Sequence, residues 1–528
     1  MKYFIIPFLL LIVAYSSVAN VIMVSQAQGS KTSSIQVAIN SANTGDTVLV
    51  SPGTYYEIVD FIGKNITVAS NFLMTADTNQ INQTIIDGNF TNSALVRFTH
   101  GESRSARFVG FTVRHGYAVY IDGTDRLIGL GVHIENASPT IESNKIINNA
   151  YEIFDISGNI GGGIGMKNSS ALVLNNKIMN NINSQFGGGI EVWESSGATF
   201  TGNLIAENSV LAGWGDGVGA GIHLYLSDNI IIKNNIIEKN LTNYGSGDGI
   251  FSRDCENLLI ISNIIRNGNG DAGVNLLTSS GKFINNLVYN DAYLVNQLVY
   301  IDQSNFSVIN STLANNNSTS LQMSFSMVEV INSILYGEDD GISNNQVAMN
   351  GGSASFKFCD IEGGTESFNI FNATYTSTHT ITSDPLFTGD ENNPYSLAWD
   401  SPCSNEGNPD TTALWLPQND LAGYPRIIQW IVDIGAYENQ LYDGFPTLKD
   451  ESIFTLYPNP ATNYLEISLS KLSSQNKELK VYSTCGSLML EKQFRNTARI
   501  DVGQFPKGIY VALVYFEGKT YNQQFVVN

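Results

Sequence analysis

Short apolar runs of four or five residues, separated by Asn, Gly and Ser, recur along most of this chain. Between Gly161 and Leu277 the recurrence is regular enough to index. A small-small-apolar triplet returns five times: Gly162-Gly163-Ile164, Gly188-Gly189-Ile190, Ala220-Gly221-Ile222, Asp248-Gly249-Ile250 and Ala272-Gly273-Val274. A second marker keeps step with it: Asn144, Asn176, Asn203, Asn235, Asn263 and Asn286, each followed by two residues that end on Ile or Val. Successive triplets lie 24 to 32 residues apart. Two markers that share one irregular period define a repeat.

The repeating unit is built from strands. Runs such as Ile230–Lys233 and Leu258–Ser262 are bounded by turn residues and show no helical period. One such unit cannot bury its own apolar side, so units must stack, and pairing each strand with its equivalent one turn on gives a parallel β-helix. The Asn markers are expected at tight turns, where Asn tolerates left-handed geometry and bonds the neighbouring backbone. Upstream, Ile35, Ala38, Ile39 and Ala42 share one face of a short helix over residues 33–43, with Ser33 or Ser34 as its cap. Thr47–Val50 reads as the first strand, and the helix before it caps the open end of the solenoid. Rungs continue from Ile66 to about Cys359, with Gly116–Leu130 as an inserted loop.

These features resemble the right-handed parallel β-helix superfamily of pectate lyases, polygalacturonases, chondroitinase-type lyases and many surface proteins, over residues 33–383. Within residues 384–438, Ser383-Asp-Pro-Leu-Phe, Asp420-Leu-Ala-Gly-Tyr-Pro-Arg and Val432-Asp-Ile-Gly-Ala-Tyr-Glu resemble the closing segment of bacterial β-helix proteins of the choice-of-anchor kind. Residues 439–451 read as a linker. From there, alternating apolar and polar positions predict a small β-sandwich over residues 452–528. Its Tyr457-Pro-Asn-Pro-Ala, Val481-Tyr-Ser-Thr-Cys-Gly and Pro506-Lys-Gly-Ile-Tyr stretches resemble the carboxy-terminal sorting domain of the type IX secretion system in Bacteroidetes. That resemblance implies translocation through the outer membrane by this machinery, then release or surface attachment. The fold class expected is therefore all-β: a right-handed parallel β-helix followed by a small carboxy-terminal β-sandwich.

Composition narrows the partners. Only 14% of the 528 residues are charged and the net charge is −21, which argues against nucleic acid and anionic membranes. Lys2, the apolar run Phe4–Ala14 and Ser17-Val-Ala19 read as a secretory signal spanning residues 1–19, with cleavage after Ala27 as the alternative. No later segment is long and apolar enough to cross a bilayer. The four cysteines, Cys255, Cys359, Cys403 and Cys485, show no metal-ligand spacing.

Candidate chemistry follows from indexing the ladder. Side chains alternate faces along a strand, so if the Ile/Val column is buried, the next residues point outward. One outward row is His133, Gly165, Glu191, His223, Phe251, Asn275; a second is Glu135, Lys167, Trp193, Tyr225, Arg253, Leu277. Trp193 beside Tyr225 would form an aromatic platform for sugar rings, with Lys167 and Arg253 placed to meet a uronate carboxylate. Glu191 and His223 would be neighbours able to act as an acid/base pair. Phe186, Trp214, Asp216 and Tyr244 would wall a groove, with Trp214 and Asp216 contacting substrate.

The plainer reading has equal standing: Glu135–Lys167 and Glu191–His223 as cross-strand charge pairs, and Trp193 and Tyr225 packed beneath a loop. The paired aspartates and His motif of polygalacturonases are absent, and the carboxyl pair that inverting hydrolysis requires is represented only by Glu191 with Asp216. Lys167, Arg253 and His223 fit lyase roles better. No cofactor is identified, and no acidic cluster supports calcium. Two readings stay open: a secreted or surface protein that binds extracellular polysaccharide, and a lyase or hydrolase acting on a uronate-containing glycan. The incomplete catalytic set favours the first. Arg97, Arg104, Arg107, Arg114 and Arg126, half of the ten arginines, form either a polyanion patch or loop ion pairs with Glu102, Asp122 and Asp125.

Overall fold

The structure is a computed structural model. It describes residues 19–90, 93–118, 129–151, 161–183, 185–211, 217–243, 245–268, 272–290, 297–314, 319–337, 345–428, 431–440, 454–469, 476–483, 488–516 and 519–528. Residues 1–18 of the expected signal, Trp214, Asp216, Tyr244, Arg126 and Cys485 lie outside these. The chain divides into two compact units, residues 1–438 and 439–528.

The first unit is a parallel β solenoid. Each regular coil carries four strands, the last a two-residue strand in a five-stranded parallel sheet from Tyr117–Ala118 to Leu241–Thr242. The site face runs through Val132–Glu135, Ile164–Lys167, Ile190–Trp193, Ile222–Tyr225 and Ile250–Arg253, paired in parallel coil upon coil. A second face runs through Thr140–Glu142, Leu172–Leu174, Thr199–Thr201, Ile231–Lys233 and Leu258–Ile261. The third face is a twelve-stranded sheet whose strands follow chain order from Gly53–Tyr55 to Asp360–Ile361. Further along, one long strand serves both faces: Thr319–Ile331 pairs with site-face strand Gln297–Asp302 and second-face strand Asn305–Ile309, and keeps the left-handed corner at Phe325, with φ 48°.

The apolar column indexed from sequence is the core. Ile164, Ile190, Ile222, Ile250 and Val274 are all fully buried and stack in register. The Asn markers correct one expectation. The residue before each marker takes the left-handed turn (φ 55° at Asn175, 54° at Asn234, 55° at Asn285), while the marker itself points inward. Its amide then forms a ladder: Asn144 Nδ2 donates to Asn176 Oδ1 at 3.1 Å, Asn176 to Asn203 at 3.1 Å, Asn203 to Asn235 at 3.0 Å, and so on to Asn286. Burying an amide is tolerable because every donor finds an acceptor one coil away.

A second ladder, Asn149, Asn181, Asn208 and Asn240, lines the corner that leaves the third face. Hydroxyls serve the corner between the first two faces, and Cys255 takes a serine's place there, accepting from Ser227 N at 3.4 Å between Ser195 and Ser279. That accounts for one buried thiol without metal or disulfide chemistry. Burial holds its pKa up at about 12.

The amino-terminal end differs from expectation in one respect. A strand precedes the helix: Val21–Val24 pairs with Thr47–Val50 in parallel, so the solenoid begins upstream of residue 33. The helix itself, Ile35–Ser41, is capped by the Ser34 hydroxyl and by Glu57, whose carboxylate accepts from Ile35 N at 2.8 Å and Gln36 N at 3.1 Å. Its buried face, Ile35, Ala38 and Ile39, joins the solenoid core.

Residues 384–438 pack along the flank of the last coils. Leu414 covers the outward column Ile261, Ile284, Ile309 and Ile331; Tyr395, Ala436 and Tyr437 cover Leu287, Tyr289 and Ala314. Buried Arg426 binds Asp433 O and Gly435 O, both at 2.9 Å, and lies 3.4 Å from the Glu438 carboxylate, whose pKa burial raises to about 8.

The second unit is the expected sandwich. A three-stranded antiparallel sheet (Phe454–Tyr457, Tyr464–Leu469, Thr497–Asp501) and a four-stranded one (Lys477–Ser483, Leu488–Phe494, Gly508–Phe516, Lys519–Val527) share one buried core.

Candidate functional site

The site face has the register expected from sequence. Lys167, Trp193, Tyr225, Arg253 and Leu277 stand on successive coils, as do Gly165, Glu191, His223, Phe251 and Asn275. The two rows differ in what lies over them.

The row holding Glu191 is covered. Glu191 is 0% exposed, and His133, His223, Phe251 and Asn275 are buried too. The cover is the approach to each strand. Phe186 bridges to Val218, and Val218 to Ser246, making a second parallel layer over the sheet. The chain folds back tightly between that layer and the strand, and glycine is required there. Gly187, Gly219 and Gly247 have φ of 57°, 66° and 70°. A Cβ on Gly219 would stand 2.6 Å from His223 Cβ, and one on Gly187 would stand 2.7 Å from Glu191 Cβ. The Phe186 ring then stacks on His223 with centroids 4.9 Å apart, and His223 on Phe251 at 5.4 Å.

Within this row the pairing expected from sequence is present. His223 Nδ1 lies 2.9 Å and 3.0 Å from the two oxygens of Glu191. Burial pushes the Glu191 pKa up, against the opposing pull of His223. The expectation of an open acid/base pair is corrected: the two groups face each other beneath Phe186. His133 is held down at about 4 by burial and by the neighbouring Arg97 cation.

The outer row remains accessible. Trp193 and Tyr225 are half-buried on adjoining coils, with centroids 5.0 Å apart in an edge-to-face arrangement of 75°. Coplanar stacking of the two rings is therefore replaced by a step, one ring face and one ring edge. Trp193 Nε1 is itself buried and has no hydrogen-bond partner among the described residues. Lys167 lies 3.5 Å from Glu194, and Arg253 lies 3.6 Å from Asp254. Lys167 thus pairs with the residue beyond Trp193 rather than with Glu135. Both pairs are substantially exposed and hold their cations weakly. The two wall residues Trp214 and Asp216 cannot be placed against this strip, being outside the described residues.

Three of the early arginines make cross-coil contacts. Arg107 pairs with Glu142 at 2.5 Å, Arg114 with Asp87 at 2.7 Å, and Arg104 binds the carbonyls of Ser170 and Gly197. The acids are Glu142 and Asp87 rather than Glu102, which instead accepts from the backbone of Gly63 and His100.

Two further sequence signals accompany the triplet and the Asn marker. The covering layer is written as a third small residue, a glycine just ahead of the triplet, at Gly161, Gly187, Gly219 and Gly247. The second Asn ladder stands five residues after the first, at Asn149, Asn181, Asn208 and Asn240.

Comparison with known families agrees with this architecture. Residues 91–297 match the right handed beta helix region, and residues 455–528 match the secretion system C-terminal sorting domain. The chain thus carries a right-handed β-helix followed by a type IX sorting domain, which marks it for export to the cell surface or beyond. No curated protein matches it. Among the described residues, no helix is long and apolar enough to cross a membrane.

Proposed function

We propose that the exported β-helix binds an extracellular polysaccharide along the outer row of the site face. The observation that carries this reading is the Trp193–Tyr225 step. It offers a sugar ring a partly exposed aromatic surface contributed by two adjoining coils. Lys167 and Arg253 flank it on the same row, each in a surface ion pair that a uronate carboxylate can exchange. The rigid sheet beneath fixes the spacing of these groups at about 4.8 Å per coil, so little ordering cost attends binding.

The alternative is a lyase or hydrolase acting on a uronate-containing glycan. It rests on the Glu191–His223 contact, and Phe186 would have to leave His223 before a substrate atom reached either group. Incubation of the full chain with a panel of uronate-rich glycans separates the two. Binding that falls tenfold or more in Trp193→Ala, with no new unsaturated or reducing ends, supports the binder. Turnover abolished by Glu191→Gln would replace it with the enzyme.

Export also requires an amino-terminal signal. Cleavage after Ala19 leaves the Val21–Val24 strand in place and puts the new amino group at Asn20, whose N lies 2.8 Å from Asp46 Oδ1. Cleavage after Ala27 would strip that strand from the solenoid. Sequencing of the exported protein is expected to start at Asn20; a start at Gln28 would contradict this.

A further inference from the structure

Leu414 covers one outward column of the second face in the later coils, Ile261 to Ile331; the rows before it are open, and they differ from the site face in their chemistry. These outward rows are mixed but carry several hydroxyls: Asn305, Met327, Ser353 and Thr374 in one, Ser307, Glu329, Ser355 and Thr376 in the other, stacked coil upon coil. Together with Gly281 and Tyr375 they line a shallow trough of about 540 Å³. That volume is within the range of small-ligand sites.

A residue from another part of the chain stands at the trough's upper end. Trp415 belongs to the closing segment. Leu414, just before it, is buried on the Ile261–Ile331 column, and Leu416, just after it, packs against the same cluster. Trp415 between them is 67% exposed. Its backbone is left-handed, with φ 56°. A bulky residue in that region is strained by roughly 1–2 kcal/mol, and strain of this kind collects at functional positions. The Trp415 ring lies 5.4 Å from Lys282 Nζ, and Lys282 follows Gly281 at the trough end. Among the described residues no acid pairs with Lys282, whereas the next charged pair down the face, Lys357–Glu329, is closed at 2.8 Å.

We propose that this trough is a second glycan-binding site, separate from the site face, and that it takes an acidic, uronate-containing chain. Trp415 stacks on the C–H face of a pyranose ring, Lys282 meets its carboxylate, and the Asn, Ser and Thr rows bond hydroxyls of the following sugars. The coils present Asn305 and Ser307, then Ser353 and Ser355, then Thr374 and Thr376 to successive sugars, with Met327 and Glu329 on the coil after the first. A polynucleotide is disfavoured by the net charge of −21 and the single unpaired lysine.

The test uses the full chain carrying Trp193→Ala, so that binding at the site face is already weakened, and a linear oligouronate as probe. Binding that remains there and falls tenfold or more on adding Trp415→Ala supports the trough, as does a comparable loss with Lys282→Gln. Both side chains are on the surface, and an unchanged melting curve confirms that each variant is folded. The methyl-esterified form of the same oligomer is expected to bind at least tenfold more weakly. The proposal is overturned by no residual oligouronate binding, by residual binding indifferent to Trp415→Ala, by equal binding of the ester, or by a Trp415-dependent protein contact in place of the glycan. Loss of all binding on Trp193→Ala alone would overturn the trough while leaving the site-face reading standing.

Discussion

The site face and the second face are neighbouring sheets of one solenoid, built from strands of similar length, yet they present different chemistry. On the site face, the approach to each strand folds back over it and buries Glu191, His223 and Phe251 under a second layer. On the second face, the approach is a short corner that covers nothing. Gly197, on the way into Thr199–Thr201, has open space: a Cβ there would meet only Ser170 Cβ at 3.8 Å. The difference teaches that a solenoid face is defined by the segment feeding its strand as much as by the strand. Outward-pointing and solvent-facing are separate properties.

The largest expected effect comes from breaking the cover. Gly219→Val places a β-branched residue at φ 66° with its Cβ against His223 and Ile222 O. Left-handed strain and overpacking add, and the cost is about 3 kcal/mol or more. Gly197→Ala, at φ 76° with space around it, is expected to cost only about 1 kcal/mol. Urea midpoints of the two variants measure the contrast. Equal shifts would mean that the covering layer is not packed as described.

A smaller effect sharpens the same contrast through pH. Cover and the Arg97 cation hold His133 at about 4, below the ordinary imidazole value near 6.5. Between those values the unfolded chain binds the proton and the folded chain does not, so stability falls as pH falls from about 6.5 to about 4. The contribution is on the order of 3 kcal/mol at most. His133→Gln is expected to lose less stability than the wild type between pH 7 and 4.5 in denaturant titrations. Parallel curves would contradict a covered, neutral His133. Glu438, held up at about 8 in the closing segment, acts with the opposite sign and is present in both proteins.

Much of this was legible in the sequence, and the limits are physical. The triplet and Asn markers fixed the register because strand pairing forces equivalent residues into columns. Ile164, Ile190 and Ile222 are buried and aligned as the spacing requires. Alternation then assigned Glu191 and Trp193 to the outward side. It could not say that Glu191 is roofed and Trp193 is not, because the roof comes from residues four or five positions upstream, in a layer with its own pairing. Its only written trace is the extra glycine at 187, 219 and 247. The Asn markers were misplaced by one residue for a related reason: a left-handed turn followed by an inward amide looks, in sequence, like Asn in the turn. Trp415 was invisible to ladder indexing, since it reaches the second face from outside the repeat.

The central claim is that the outer row of the site face is open and the inner row closed. Hydroxyl-radical footprinting read by mass spectrometry tests it directly. The account predicts oxidation of Trp193 and Tyr225 in the free protein, little at Phe251, and protection of Trp193 and Tyr225 when a uronate-rich glycan is added. Oxidation of Phe251 at a rate matching Trp193, or a glycan-bound state in which Trp193 and Tyr225 stay fully reactive, would contradict it.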